Sequence, residues 1–248
     1  MHFYSKKHNF FGGQGIVGAQ VPVGAGLAFA AKYKTPAGQK MPIAIAAYGD
    51  GAANQGQIWE AANMCALWDL PMVFMIENNH YGMGTATNRS SSNDEYYTMG
   101  NKIPGIRMNG MNVLAVKQGM KMVKEHCSSG KGPFYVEMDT YRYHGHSMSD
   151  PGTTYRTKEE VGGVRQTKDP IEYVKKLLID NSLLTADDIK QIEKEIRNDV
   201  QMSLESAKKG APLASEYLVK EIYSTNDGKD EPVPFIRMPD YTKSIIRA

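Results

Sequence analysis

The residues best suited to chemistry lie in two short polar segments, "YGDGAANQGQ" with Asp50 and "ENNHYG" with Asn79. Carboxylate and amide oxygens are hard ligands of the kind that Mg²⁺ takes, usually together with phosphate oxygens. Gly51 and Ala52 leave room for a ligand against the backbone, and the free N–H groups of the helix that follows would face an anion. Each segment alone is compatible with an ordinary turn. Together, each closing an apolar run, they predict a site for a metal ion and a diphosphate.

A third polar segment, "YRYHGHSMSDPGTTYRT" from Tyr141 to Thr157, contains His144 and His146. A metal site is disfavoured there, because the two histidines have no third ligand nearby and Mg²⁺ prefers oxygen. The segment follows the apolar run "PFYVEMDTY", so it is predicted to be a loop beyond a strand end. Whether this loop is catalytic, regulatory or ordinary polar surface stays open from its composition.

The glycine-rich segment "GQGIVG", from Gly13 to Gly18, matches the G-x-G-x-x-G pattern of dinucleotide-binding folds. No apolar strand precedes it, and no acidic residue follows near position 38, where such folds place the acid that binds the ribose. A nucleotide-binding dehydrogenase is therefore disfavoured. A glycine-rich loop that lets the backbone approach another ligand fits the segment better.

The elements that position these segments alternate along the chain. Apolar runs ending at "YGD" and "ENN" predict buried parallel strands, and "VGAGLAFAAKYK" and "NQGQIWEAANMCALWDL" predict helices. We expect "MNVLAV" to be a further strand, followed by a helix from Gln118 to Cys127 and by the strand "PFYVEMDTY". This order predicts an α/β fold with a parallel sheet flanked by helices. Ligands of such sheets bind at the carboxyl ends of the strands, where Asp50, Asn79 and the loop from Tyr141 fall.

The composition is that of an ordinary globular chain, with 41% hydrophobic and 23% charged residues among 248 and a formal net charge of +2. Such a balance excludes nucleic acid and a membrane surface as the main partners. The apolar runs are also too short to span a bilayer. Cys65 and Cys127 cannot build a disulfide framework, which favours a reducing compartment.

The chain changes character after Pro170. The segments "IEYVKKLLIDNSLL" and "TADDIKQIEKEIRNDVQMSLESAKKG" predict amphipathic helices, the second with a capping box at Thr185 and a buried stripe. The residues of the stripe are Ile189, Ile192, Ile196 and Val200. We expect packing or a subunit contact there, and a loop-rich tail from Pro212. The predicted domains are an α/β domain over 1–170 and a helical extension over 171–248.

The motifs taken together resemble a known family. A GDG followed by NN is the thiamin diphosphate motif, and "GIVGAQVPVGAGLAFA", "ENNHYGMGT" and "YRYHGHSMSDPGTTYRT" are similar to alpha subunits of the mitochondrial pyruvate dehydrogenase component. The similarity is dense over 1–170 and looser beyond. It implies the diphosphate-binding half of the thiamin diphosphate fold. The family's alpha subunits are longer at the N-terminus, so the chain is expected to lack a transit peptide and an arginine and a tyrosine that contact the cofactor.

The resemblance implies roles for individual residues. The metal ligands that it implies are Asp50, Asn79 and, through its backbone carbonyl, Tyr81. The other cofactor-binding residues that it implies are Gly15, Val17, Gly51, Ala52 and His146. Of these, His146 matches the active-site histidine, whose imidazole can stabilise charge or move a proton. Ser147 matches the main inhibitory phosphorylation site and Thr154 the second one, where the family has serine; the third site is Ala86 in this chain.

The resemblance also implies the reaction and the partners. The expected cofactors are thiamin diphosphate and Mg²⁺. The expected activity is decarboxylation of pyruvate, with acetyl transfer to the lipoyl group of dihydrolipoyl acetyltransferase in the mitochondrial matrix. A beta subunit is expected to supply the glutamate that activates the cofactor, in an alpha2beta2 heterotetramer, and a kinase and a phosphatase to act on the loop. Two alternatives stay open: the alpha subunit of a branched-chain 2-oxo acid or acetoin dehydrogenase, and a catalytically silent thiamin-fold subunit.

Overall fold

The computed structural model describes residues 2–214 of the chain. The chain divides into two compact units, Met1–Leu183 and Leu184–Ala248. The domain boundary predicted between positions 170 and 171 stays a prediction, and nearly all of the tail expected from Pro212 lies outside the described residues. Within 2–214, none of the helices combines the length and the apolar content that crossing a membrane requires.

Strands and helices alternate through the first unit, as the sequence pattern predicts. The strands are β1 (Ala44–Gly49), β2 (Met72–Asn78), β3 (Tyr81–Gly82), β4 (Thr85–Ala86), β5 (Gly105–Asn109) and β6 (Phe134–Asp139). The helices of the first unit are α1 (Gln20–Lys34), α2 (Gly56–Leu67), α3 (Thr87–Ser90), α4 (Val113–Ser128), α5 (Lys158–Lys168) and α6 (Pro170–Asp180), and α7 (Ala186–Lys209) belongs to the second unit. Short 3₁₀ helices cover Lys6–His8, Ala52–Asn54 and Tyr96–Thr98. Strands β1, β2, β6 and β5 form, in that order, a parallel sheet, and β3 and β4 form an antiparallel pair. The predicted α/β class, with a parallel sheet flanked by helices, is confirmed.

The strands of the parallel sheet end at the same edge. Gly49, at the end of β1, pairs with Glu77 of β2. Asn78, at the end of β2, pairs with Asp139 at the end of β6. The segments that follow these strands therefore begin side by side, as they do in other open parallel sheets. The convergence predicted for the polar segments after β1, β2 and β6 is a consequence of this register.

Side chains from both faces of the sheet form the core. On one face, covered by α1 and α2, Phe74 stacks on Tyr135 with ring centroids 4.9 Å apart. On the other face, Val73 and Val136 pack with Val123 of α4. Successive side chains of a strand point to opposite faces, so β2 is buried on both sides. The sheet is thus a well-packed support for the loops at its carboxyl edge.

One predicted strand is wrong. The segment "MNVLAV" begins α4, because the Asn112 side chain caps the helix by accepting the backbone N–H groups of Leu114 and Ala115. The strand in this part of the sheet is instead β5, Gly105–Asn109. Its central residue is Arg107, so the segment lacks the apolar run typical of a buried strand. Its place at the edge of the sheet, beside β6, accommodates this charged side chain.

In the second unit, α7 begins with the predicted capping box. The Thr185 hydroxyl oxygen accepts the N–H of Asp188, whose carboxylate in turn accepts the N–H of Thr185. In the single chain, Ile192, Ile196 and Val200 of the predicted stripe are exposed by 46%, 57% and 63%, whereas Ile189 is partly buried, and the subunit contact expected there stays a prediction. The periodicity correctly defines an apolar face of the helix. Burial additionally requires a facing surface, which periodicity does not supply.

Gly105→Ala tests the close packing at the start of β5. A Cβ atom at Gly105 would overlap the carbonyl oxygen of Tyr97, whereas a Cβ atom at Gly26 in α1 would meet nothing within 4 Å. We expect Gly105→Ala to lower the free energy of unfolding by about 3 kcal/mol, because a backbone atom must move. Gly26→Ala is the matched control and should leave this free energy unchanged or raise it by about 1 kcal/mol. Urea denaturation measures both, and equal stabilities would contradict the described packing.

Candidate functional site

Asp50 carries a buried carboxylate at the carboxyl edge of the sheet. It follows β1 directly and is 1% exposed, and neither of its side-chain oxygens accepts a hydrogen bond of good geometry from residues 2–214. Burial raises the pKa of this carboxyl, and the nearby backbone N–H groups of Asp50 and Asn79 and the charges of His80 and Arg142 oppose the rise. A buried carboxylate in this state is strongly unfavourable unless a cation joins it.

Two glycines bring the backbone after Asp50 against the turn after β2. A Cβ atom at Gly51 would lie 3.1 Å from the Cα atom of Gly82. A Cβ atom at Gly82 would lie 3.0 Å from the Cα atom of Gly51 and 3.8 Å from Asp50 Oδ2. The helix expected directly after Asp50 is a 3₁₀ helix beginning at Ala52, and α2 begins later, at Gly56. The two polar segments thus touch through glycine backbone beside the carboxylate.

The two asparagines after β2 have different environments. Asn78 is buried, and its amide donates to Glu137 Oε1 at 2.7 Å in the core. Asn79 is half-buried, its backbone N–H lies near the Asp50 carboxylate, and its Oδ1 accepts a hydrogen bond from Arg142 Nη1 at 3.3 Å. The structure therefore places the second asparagine, which the motif indicates, beside Asp50.

Arg142 belongs to this site although its sequence context assigns it no role. Its Nη1 donates to Asn79 Oδ1 and, at 2.9 Å, to the backbone oxygen of Tyr81, two of the three oxygens predicted to bind the metal. Its Nη2 donates to the Met83 carbonyl and to the Tyr155 hydroxyl. The available signal in the sequence is a basic residue just beyond a strand end, which is not specific.

The glycine-rich segment lies beside the first turn of α2. Gln57 Nε2 donates to the Val17 carbonyl at 3.1 Å, and Gln20 Nε2 donates to the carbonyl of Ala47, near the end of β1, at 3.0 Å. Gly15 and Val17 are both exposed. The segment is thus brought to the β1 end of the sheet edge, but its predicted contact with a cofactor stays a prediction.

Asp150 organises the loop that carries His146 and Ser147. Its carboxylate accepts the backbone N–H of His146 at 2.7 Å, the Tyr155 hydroxyl at 2.7 Å and the backbone N–H of Gly152 at 2.8 Å. These hydrogen bonds lower the pKa of the Asp150 carboxyl to about 2, so that it is charged throughout the neutral range. His146 is exposed, and its imidazole makes no hydrogen bond within the part of the chain that the structure describes. Its ring is therefore available to a ligand.

The two predicted phosphorylation sites are exposed. Ser147 Oγ lies 3.1 Å from Ser149 Oγ, and Thr154 lies farther along the same loop. A phosphate on Ser147 would bring a charge of about −1.5 to −2 next to His146, whose backbone N–H donates to the Asp150 carboxylate. The geometry is compatible with modification, and both assignments stay predictions.

A second group of charged side chains lies along the same edge of the sheet. Asp139 contacts His80 Nε2 at 2.8 Å and Arg107 Nη2 at 3.2 Å, and Arg107 also pairs with the buried Glu137 at 3.6 Å. With Lys168, the side chains of His80, Arg107 and Asp139 line a cavity of about 560 Å³. Two permanent cations, Arg107 and Lys168, face one carboxylate, Asp139, so the formal charge of this lining is positive.

The donors around Asp50 suit a hard cation that is bound together with a phosphate. Among the residues that the structure describes, no three His, Cys, Asp or Glu side chains form a cluster that could hold a metal ion by themselves. The predicted set is instead one carboxylate, one amide oxygen and one backbone carbonyl. Mg²⁺ typically combines such protein oxygens with water and phosphate oxygens. The unpartnered carboxylate and the glycine contact beside it fit a group of this kind.

Comparison with known proteins defines the family. The family model described as "Dehydrogenase E1 component" matches residues 1–215, and the chain belongs to this family, whose members depend on thiamin diphosphate. The parallel sheet and the oxygen donors at its carboxyl edge agree with this assignment.

Curated relatives are similar along most of the chain. The probable pyruvate dehydrogenase E1 component subunit alpha, mitochondrial, of Caenorhabditis elegans is 50% identical over 100% of this chain and 63% of its own length. The subunit alpha-1 of Oryza sativa subsp. japonica is 54% identical over 90% of this chain and 56% of its own length. The subunit alpha-2 of Arabidopsis thaliana is 55% identical over 87% of this chain and 54% of its own length. The chain thus spans between about half and just under two-thirds of the length of these relatives.

Asp50→Asn tests whether the unpartnered carboxylate destabilises the chain when no cation is present. The substitution removes a buried charge and keeps the size of the side chain, so in EDTA we expect the free energy of unfolding to rise by about 1–3 kcal/mol. Asp139→Asn is the control, because that carboxylate already pairs with His80 and Arg107 and its loss should lower stability. Urea unfolding measures both. A destabilised Asp50→Asn variant would contradict the absence of a partner.

Proposed function

We propose that the chain is the alpha subunit of a pyruvate dehydrogenase that depends on thiamin diphosphate and Mg²⁺. The observation that carries the proposal is the buried Asp50 carboxylate, which has no partner among the described residues and lies beside Asn79 and the Gly51–Gly82 contact. A cation bound together with a diphosphate would compensate this charge. The names of the relatives, each an alpha subunit of the pyruvate dehydrogenase E1 component, support pyruvate as the substrate.

The proposed binding roles follow from the positions of the donors. The proposed metal ligands are Asp50, Asn79 and the backbone carbonyl of Tyr81. The proposed backbone contacts to the cofactor are those of Gly51 and Ala52 at the diphosphate and of Gly15 and Val17 at the aminopyrimidine. In this arrangement the Asp50 carboxylate faces the cation, and neutral backbone faces the anionic diphosphate, which minimises electrostatic repulsion.

His146 is the proposed catalytic residue of this chain. The bound cofactor supplies the electron sink that decarboxylation of a 2-oxo acid needs. The His146 imidazole holds or moves a proton during transfer of the acetyl group to the lipoyl sulfur. Its backbone N–H is held by Asp150 while its ring is free of hydrogen bonds within residues 2–214, which suits a side chain that must turn toward a ligand.

A beta subunit completes the proposed site and supplies the glutamate that activates the cofactor. We infer an alpha2beta2 heterotetramer in the mitochondrial matrix, since the relatives are named mitochondrial. The acetyl group formed from pyruvate passes to the lipoyl domain of dihydrolipoyl acetyltransferase. In this proposal a regulatory kinase and a phosphatase act on Ser147 and Thr154.

Co-expression of the chain with a beta subunit tests the proposed activity. The assembly is expected to acetylate and reduce lipoyl groups with pyruvate faster than with a branched-chain 2-oxo acid or acetoin, and the chain alone to show no turnover. Asp50→Ala should abolish Mg²⁺-dependent binding of thiamin diphosphate, measured by calorimetry. Preference for a branched-chain 2-oxo acid or for acetoin would identify one of those dehydrogenases instead. Cofactor binding without turnover of any substrate would indicate a catalytically silent subunit.

Ser147→Glu tests the regulatory role of the loop. A negative charge at this position would lie close to the Asp150 carboxylate, which holds the N–H of His146, and repulsion should loosen the loop. We expect the pyruvate-dependent rate of the assembly to fall at least about tenfold, equivalent to about 1.4 kcal/mol in the barrier. Ser129→Glu, at the exposed end of α4, is the control and should retain activity. Full activity of Ser147→Glu would refute the regulatory role.

A further inference from the structure

The described hydrogen bonds of the Arg142 guanidinium all go to the turn after β2 or to its own loop. Its hydrogen bonds run from Nε to His144 O (3.1 Å), from Nη1 to Asn79 Oδ1 (3.3 Å) and Tyr81 O (2.9 Å), and from Nη2 to Met83 O (2.7 Å) and Tyr155 Oη (2.8 Å). Three of these acceptors belong to one turn, residues 79–83. The side chain therefore holds that turn at three points.

The turn that Arg142 holds has a strained backbone. His80 and Met83 have φ angles of 71° and 58°, in the left-handed region, although neither is glycine. Side chains of this size rarely adopt that region, and such conformations persist only where surrounding contacts impose them. The hydrogen bonds from Arg142 to the carbonyls of Tyr81 and Met83 are contacts of this kind.

The guanidinium leaves the strongest acceptor nearby without a bond. A positive group in the position of the cation would pair first with the Asp50 carboxylate, because charge-assisted hydrogen bonds are the strongest. Asp50 nevertheless has no hydrogen-bond partner within 2–214, and Arg142 bonds the neutral oxygens of Asn79 and Tyr81 instead. Arg142 thus lies behind these two oxygens and not in the cation's place. Each oxygen has two lone pairs, so it can accept from Arg142 and still face a metal.

Arg142 is itself held by a buried arginine. Arg156 is 4% exposed, and it donates from Nη1 to the Arg142 carbonyl and from Nη2 to the His144 carbonyl at 2.9 Å. Its guanidinium also lies over the rings of Tyr81 and Tyr155, 5.7 Å and 5.4 Å from their centroids. The backbone at Arg142 is therefore held by a buried side chain.

We propose that Arg142 is a positioning residue for the cation: it orients Asn79 Oδ1 and the Tyr81 carbonyl toward the metal that Asp50 binds, without contacting the metal. The inference rests on the proposed function, since it requires a cation at Asp50. Groups that orient metal ligands in this way change the metal affinity by about 10- to 100-fold when they are removed. Arginine suits the role because its planar donors reach several acceptors in fixed directions, which a lysine ammonium cannot do.

Binding of Mn²⁺ in the presence of thiamin diphosphate tests this role without measuring turnover. Electron paramagnetic resonance of free Mn²⁺ gives the dissociation constant for the full chain assembled with its beta subunit, and thermal unfolding in EDTA gives the stability. We expect Arg142→Met to raise the dissociation constant about 10- to 100-fold. Arg142→Lys keeps the charge but should raise it as well. Arg197→Met is the control, because that side chain is 79% exposed on α7, and it should leave the constant unchanged.

The outcomes separate orientation of ligands from simple stabilisation of the fold. A lower melting temperature with an unchanged Mn²⁺ dissociation constant for the Arg142 variants would overturn the inference and leave the proposed function standing. A Mn²⁺ dissociation constant of Arg142→Lys equal to that of the unsubstituted assembly would also overturn it, because positive charge alone would then suffice. Absence of Mn²⁺ binding by the unsubstituted assembly would overturn both the inference and the proposed function. Should Arg142→Met not fold, Arg142→Lys gives the same decision.

Discussion

The burial of one carboxylate governs the structure around it. Within residues 2–214 the Asp50 carboxylate accepts no hydrogen bond of good geometry, and the Gly51–Gly82 contact lies beside it. An ionised carboxylate removed from water is tolerated only when positive charge or hydrogen bonds compensate it. The protein alone therefore leaves this part of its interior incomplete. The uncompensated charge lowers the local stability and, for the same reason, favours the binding of a cation.

The register of the strands, and not proximity along the chain, brings together the groups that could bind a compensating ligand. Three strands end together, so the segments after β1, β2 and β6 begin at one place. Each segment contributes a different kind of group: a carboxylate, a set of neutral oxygens, and a basic side chain. This division matches a ligand that itself has both signs of charge, as a metal diphosphate does.

The features governed by local pattern could be predicted from the sequence, and those governed by distant contacts could not. The apolar runs of β1 and β2 locate both strand ends, and with them Asp50 and Asn79. By contrast, "MNVLAV" is compatible with either a strand or a helix until the Asn112 cap decides, and the pattern of β5 is interrupted by Arg107. The apolar face of α7 shows the same limit, since periodicity does not reveal what covers a face. The Arg142 guanidinium donates to Asn79, 63 positions earlier, which no local pattern records.

The contact between Gly51 and Gly82 couples two positions that are distant along the chain. A Cβ atom at either glycine would lie 3.0–3.1 Å from the Cα atom of the other, so a first substitution must already shift the two backbones slightly apart. A second substitution at the other glycine would meet a contact that has already relaxed, so the two effects on stability should not add. The effect on stability of a side chain at one of these glycines therefore depends on which residue occupies the other position.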